Sequence, residues 1–317
     1  MNFAITFGFG ISDTFFSYNF SGILGKGLFL SLAFTFYSVS KIFLMPIVGR
    51  LIDKLGSKIV LFGALSCYLA VSIIFIFSHS GILIIFARIL QGAASALFRP
   101  VMYYMLGFFS KEGKIGKTAG YFDISFYFAL ASSPFVGGLI LEKFGFEGLS
   151  VILLCVCIFV FILLLVMPMK ITEEEEKTAE NTENLGDSET LIFYALLLFI
   201  FFKAVCISVL NIYFPIYMKG LGFSVGKIGI AMGAVSAFMT FSLFFTGALA
   251  DNSARRYLIA FGGFFSSIIF LFVPFETEFS RLLILTALTG AFSAVSQPAV
   301  SSILLEYSRS KNSAQTI

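Results

Sequence analysis

The residues Gly49-Arg50-Leu51-Ile52-Asp53-Lys54-Leu55-Gly56-Ser57-Lys58 form a short basic interruption between two long apolar runs. Gly49 has no side chain and lets one helix approach another, while Gly56 permits a tight turn with positive φ. Asp53, at a helix end, can accept charge-assisted hydrogen bonds or face a helix N-terminus. Lys54 and Lys58 hold a loop on the cytoplasmic side of a membrane. This reading requires that both flanks cross a bilayer. Residues 28–49 and 58–78 are each long and apolar enough to do so, since a spanning helix needs roughly 20 mostly apolar residues.

Working outward in both directions, ten such segments can be drawn: 2–20, 28–49, 58–78, 81–107, 119–141, 149–168, 191–215, 226–249, 257–274 and 281–305. Composition agrees. The chain has 317 residues, 58% of them hydrophobic and only 12% charged, with mean hydropathy +0.98. A soluble domain carries about 25% charged residues, so this chain has too little polar surface to cover a soluble globule. The expected fold class is an all-α membrane protein with the lipid bilayer as solvent. Trp is absent, so an interfacial belt must rely on the 12 Tyr. The net charge of +3 gives no reason to expect a nucleic-acid partner. Cys67, Cys155, Cys157 and Cys206 all lie in apolar runs and read as free packing thiols. His79 is the only histidine, which argues against a His-based triad or a multi-His metal site. No cofactor and no enzymatic chemistry are expected, and Met1 leads into an apolar run with no secretory signal features.

Basic residues set the orientation. One set of loops holds Arg50, Lys54, Lys58, Lys111, Lys114, Lys117, Lys170, Lys177, Arg255, Arg256, Arg309 and Lys311. The opposite set holds Lys26, Lys143, Lys219, Lys227 and Arg281. The richer set is expected to be cytoplasmic, with both chain ends on that side of a cytoplasmic or inner membrane. Residues 169–190 carry Glu173–Glu176, Glu180, Glu183, Asp187 and Glu189 with almost nothing apolar, the composition of a solvated tether. They divide the chain into a six-helix bundle (1–168), an acidic linker and a second bundle (191–317).

The halves repeat. A shift of 198 positions carries Gly49 onto Gly247, Asp53 onto Asp251, Gly92 onto Gly290, Ser95 onto Ser293, Pro100 onto Pro298, Gly22 onto Gly220 and Asp13 onto Asn211. The same shift carries Ala119 onto Ile317, so the second copy stops where the fifth segment would begin. The reading expects ten spans of twelve, with about 50 further residues encoding two more; a genuine ten-helix protein is the alternative.

Three motifs give this pattern a family. Gly49 to Lys58 resembles the major facilitator superfamily signature G-x-x-x-D-[RK]-x-G-[RK]-[RK], departing only at Ser57. A weaker copy runs from Gly247 through Asp251 to Arg255 and Arg256, with Asn252 and Ala254 in place of the basic residue and the glycine. Arg88-Ile89-Leu90-Gln91-Gly92 is similar to the family's R-x-x-Q-G. Gly120, Ala129, Ser133, Pro134, Gly137 and Gly138 resemble its antiporter motif, with Ala129 and Ser133 replacing two glycines. The resemblance implies two bundles related by pseudo-symmetry, a central cavity lined by segments one, four, seven and ten, and alternating access by rocking. It also implies a gating role for the Asp53 and Asp251 loops, a link between Arg88 and proton coupling, and an efflux association for the fifth segment.

Charged residues inside spans are costly and by default functional. Counting about 1.5 Å per residue, Asp13, Lys41, Arg99 and Lys203 fall near the middle of the apolar core. Asp13 and Lys41 can pair at similar depth, and Asp123 can meet Arg99. Arg88 faces either a cavity or the outer interface. Three cations against two carboxylates favour an anionic or zwitterionic small organic substrate. The competing reading is salt bridges that only hold helices together. The expected function is proton-coupled export by a monomer, with Asp13 or Asp123 as the protonatable group. Uptake of a metabolite anion, or a non-transporting membrane sensor, are the alternatives.

Overall fold

The structure is a computed structural model that describes residues 1–24, 27–77, 80–109, 115–166, 187–249, 255–300 and 303, with side chains at most of these positions. The helices are α1 (Asn2–Leu24), α2 (Leu28–Leu55), α3 (Ser57–Phe77), α4 (Gly81–Phe109), α5 (Ile115–Val166), α6 (Asp187–Gly220), α7 (Val225–Leu249), α8 (Arg255–Phe272) and α9 (Phe279–Val295). A short 3-10 turn, Val273–Phe275, follows α8. The described residues contain no strand.

Helix α5 shows why length matters. Its apolar stretch Ser125–Val166 runs 42 residues, which as one rod would reach about 63 Å, twice the hydrocarbon thickness of about 30 Å. It is broken at Gly145, where φ is 66° and ψ is −173°, a conformation natural only to glycine. Its two arms are the expected fifth and sixth segments, so the described helices give ten helical segments. Eight helices are long and apolar enough to cross a membrane, counting α5 once.

Several boundaries differ from the sequence reading, each for a local reason. The stretch Gly49 to Leu55 is not a loop: it forms the last turns of α2, and Gly56 alone makes the turn, with φ 79°. The Gly56 N–H donates to Ile52 O at 2.8 Å. Among the described residues, a Cβ built on Gly49 meets nothing within 4 Å. Helix α6 begins at Asp187, inside the expected linker, and passes Pro215 to end at Gly220. Its end is capped through Gly222 (φ 82°), with the Phe223 N–H reaching Met218 O at 3.2 Å. Helix α9 stops at Val295, with Ser296 outside it. Pro298 cannot donate to a helical ladder and clashes with the preceding turn. The rest of the expected linker, and Asp251, lie outside the described residues.

Clustering of contacts gives two compact units: residues 1–172 with 224–229, and residues 173–223 with 230–317. In the first, α1 packs on α5, α2 on α4, and α3 on both α4 and α5. Its centre is aromatic. Phe16 and Phe20 lie 4.9 Å apart between ring centroids, and Phe20 meets Phe146 at 4.9 Å and Phe75 at 5.8 Å. Other phenylalanines point outward, Phe43 at 73% and Phe77 at 75% exposure. A water-soluble protein does not expose apolar surface on this scale. In the second unit, α8 packs on α9.

Candidate functional site

The site begins with how closely α1 can lie against its neighbours. A Cβ on Gly10 would overlap the Ser133 side chain, and one on Gly137 would sit 3.0 Å from the Phe15 ring and 3.1 Å from Ile11 O. Small residues on both helices therefore bring α1 onto the first arm of α5. That arm also carries Gly120, Pro134 and Gly138. Ser133, buried at 1% exposure, serves the packing expected of a glycine at that position.

Helix α4 approaches α2 by the same device. A Cβ on Gly92 would overlap the backbone carbonyl of Tyr37. Around it, Ser40 Oγ donates to Ile89 O at 2.8 Å, and the Tyr37 hydroxyl donates to Ser95 Oγ at 3.3 Å. The glycine of R-x-x-Q-G is thus the point where two backbones meet.

This packing sets a polar cluster between α1 and α4. Arg88 Nη1 donates to Asp13 Oδ1 at 2.8 Å and to Gln91 Oε1 at 2.7 Å. Gln91 Nε2 donates to both Asp13 oxygens at 3.0 Å. The three side chains close a ring. Arg88 is fully buried, whereas the Asp13 side chain keeps 37% of its surface exposed. The guanidinium lies over the Phe16 ring at 3.5 Å from the centroid and near Phe34 at 4.8 Å. Such desolvated cation–π contacts are worth about 2 kcal/mol. Arg88 Nε and Nη2 are buried with no hydrogen-bond partner among the described residues. This is a cation held by one carboxylate and aromatic faces, with donors in reserve.

The structure thus corrects the expected Asp13–Lys41 pair: the described ion pair of Asp13 is with Arg88, and Lys41 is half-buried on α2. It also resolves the open question on Arg88, which points inward. Arg99 stacks 4.3 Å from the Phe126 centroid and 5.8 Å from Tyr103. The expected Asp123–Arg99 contact lies outside the described side chains. Asp53 and Lys54 are exposed at the end of α2, and Lys58 lies on α3. Gly247 is in the last turn of α7, and Arg255 and Arg256 open α8.

In the second unit, Lys203 on α6 donates to Ser293 O at 2.7 Å and to Ser296 Oγ at 2.8 Å. Close approach recurs there too. A Cβ on Gly290 would overlap Val235 O, and the 198-position shift carries Gly92 onto Gly290 and Tyr37 onto Val235. Sequence reasoning missed Phe16, Phe34, Ser293 and Ser296. Phe16 was signalled by standing three residues from Asp13 on one helix face, and the two serines by lying just before Pro298.

Among the described residues, no group of three or more His, Cys, Asp or Glu stands ready for a metal. Comparison with known proteins agrees with the helical architecture. The family model described as Major Facilitator Superfamily matches residues 1–317. The chain is 25% identical over 292 residues to a protein named multi-drug resistance efflux pump PmrA homolog from Lactococcus lactis. That match covers 87% of this chain and 70% of the relative. It is 29% identical over 111 residues to an uncharacterized MFS-type transporter YcnB from Bacillus subtilis, covering 35% of this chain and only 24% of the relative. Among solved structures, an inward-facing, unoccupied bacterial homolog of the human lysosomal transporter Spinster superposes with TM-score 0.77 at 12% identity, covering 99% of this chain and 76% of that one. A D-xylose–proton symporter superposes at 0.69, also at 12% identity, covering 96% and 81%.

Proposed function

The chain belongs to the Major Facilitator Superfamily, and on that premise we propose that it is a secondary active transporter that exports a small organic molecule in exchange for protons. It is a multi-pass membrane protein. In this reading its bundles, residues 1–168 and 191–317, rock about a central passage while both chain ends face the cytoplasm. The basic end of α2 at Asp53 and the basic stretch around Asp251 gate the inner face.

The observation that carries the reading is the Asp13–Arg88–Gln91 ring within membrane-spanning helices. Asp13 is a carboxylate that keeps part of its side chain exposed and is fixed to a buried guanidinium. Protonation neutralises Asp13 and leaves Arg88 without its counter-charge. Removing one partner of a buried ion pair costs about 3–5 kcal/mol, enough to favour a rearrangement of α1 against α4. A substrate donor that bonds the ionised Asp13 competes with the proton for that carboxylate, so binding and proton release become linked. Gln91 holds the carboxylate by both oxygens and so sets its orientation. Lys41, Arg99, Asp123 and Lys203 line the remainder of the proposed pathway. The efflux-pump relative and the small residues of α5 support export; uptake on the same fold is the second outcome of the test.

The test uses purified protein in liposomes with an entrapped pH-sensitive dye, a pH gradient and a panel of small organic compounds. Wild type is expected to move protons when a transported compound is added. Asp13→Asn is expected to lose gradient-driven accumulation yet keep compound-for-compound exchange. Gradient-driven transport by Asp13→Asn at the wild-type rate would refute the assignment. Vesicles of known orientation give the direction.

A further inference from the structure

We propose that Lys203 is the anchor for a carboxylate group of the transported molecule, which makes the substrate class small organic anions or zwitterions; this rests on the carrier reading above.

Lys203 stands midway along α6, a helix of 34 residues. A lysine at the centre of a span costs about 2.5–3.5 kcal/mol unless compensated. In the first unit Arg88 is compensated internally, by Asp13. In the second unit, the described ion pairs join Arg281 to Glu276 and Glu278, and Lys203 is in none of them. Its two partners, Ser293 O and Ser296 Oγ, are neutral. An ammonium has three donors, so one remains.

A second donor is unspent beside it. Ser293 is buried at 7% exposure, and its hydroxyl has no hydrogen-bond partner among the described residues. This is the same residue whose carbonyl Lys203 holds. The repeat explains the vacancy. Ser95, the counterpart of Ser293, accepts a hydrogen bond from Tyr37, but the counterpart of Tyr37 is Val235, which has no hydroxyl.

A purely structural cap for the end of α9 does not need a charge. A neutral donor is already in place, since Ser296 Oγ donates to Ser293 O at 3.1 Å without the desolvation cost of a charge. Lys203 is also peculiar to its unit, since the matching residue of α1 is Ile5. A carboxylate placed on the third ammonium donor and the Ser293 hydroxyl supplies the missing negative charge and fills both vacancies with charge-assisted hydrogen bonds.

The experiment measures thermal stabilisation and binding of the purified full chain by salicylate, benzoate and pyruvate, each against its neutral amide. The acids are expected to stabilise wild type and the amides are not. Lys203→Gln keeps a donor for Ser293 O and is expected to fold, yet bind the acids about tenfold more weakly; Lys203→Arg is expected to keep most of the affinity. Equal response to acid and amide, full acid binding by Lys203→Gln, or no response to any of the three acids would each overturn the anchor. The liposome panel separates this from the carrier reading. Proton movement driven only by compounds without a carboxylate overturns the anchor and leaves transport standing. Acid binding through Lys203 without any proton movement upholds the anchor and overturns transport.

Discussion

The seam between α2 and α4 and the seam between α7 and α9 are built on one plan, and the side chains beside them carry opposite chemistry. Gly92 meets the Tyr37 carbonyl in the first unit, and Gly290 meets the Val235 carbonyl at the positions 198 residues later. The backbone contact has persisted. The side chains around it have not. Asp13, Arg88 and Gln91 are matched by Asn211, Thr286 and Thr289. The two threonines turn back on their own helix, donating to Leu282 O and Leu285 O at 2.8 Å. One unit holds a closed ionic ring; the other holds neutral residues and a lysine on a different turn. Packing glycines set where two helices touch, and the polar residues on that scaffold are then free to diverge.

The comparison can be broken most sharply at Arg88. Arg88→Met removes charge-assisted hydrogen bonds and the cation–π contacts and is expected to cost about 3 kcal/mol, read as a large drop in the unfolding midpoint in detergent. Thr286→Val, at the matching position, is expected to cost no more than about 1 kcal/mol. Equal losses at the two positions would show that the ring holds no special energy.

Next in size are the glycine contacts. Gly92→Ala and Gly290→Ala are each expected to destabilise by about 1–3 kcal/mol through overpacking against a carbonyl. Tolerance of one and not the other would mean that the units do not share this contact. A milder loss is expected for Gln91→Leu, about 1–3 kcal/mol with an altered pH dependence of transport, against under 1 kcal/mol and no pH effect for Thr289→Val. The smallest effect is expected at Gly49, which is helical with open space around it among the described residues. Gly49→Ala should be neutral or stabilise by about 0.5–1 kcal/mol; a marked loss would restore the close approach read from the sequence.

The sequence carried the helices and the repeat well, because hydrophobic length and a constant offset are one-dimensional signals. It also placed the Gly56 turn correctly. It misjudged Gly49 to Leu55, because a glycine and a basic pair read as a loop when one residue suffices to turn. The partner of Asp13 was misassigned for a related reason. Counting residues gives depth in the membrane but not direction around a helix, so Lys41 and Asp13 looked matched. Arg88 reaches Asp13 because its long side chain makes up the difference in depth, and Phe16 and Phe34 give its guanidinium a surface to lie on. The Lys203 contacts needed the α9 break, which Pro298 announced only in part.

The central claim is that Asp13 exchanges the proton that drives transport. It is tested most directly by adding a transported compound to purified protein in weakly buffered detergent and following proton release with an indicator dye. Wild type is predicted to release about one proton per molecule near the pH where binding is half-maximal, and Asp13→Asn, still binding the compound, none. Undiminished release from Asp13→Asn would contradict the account.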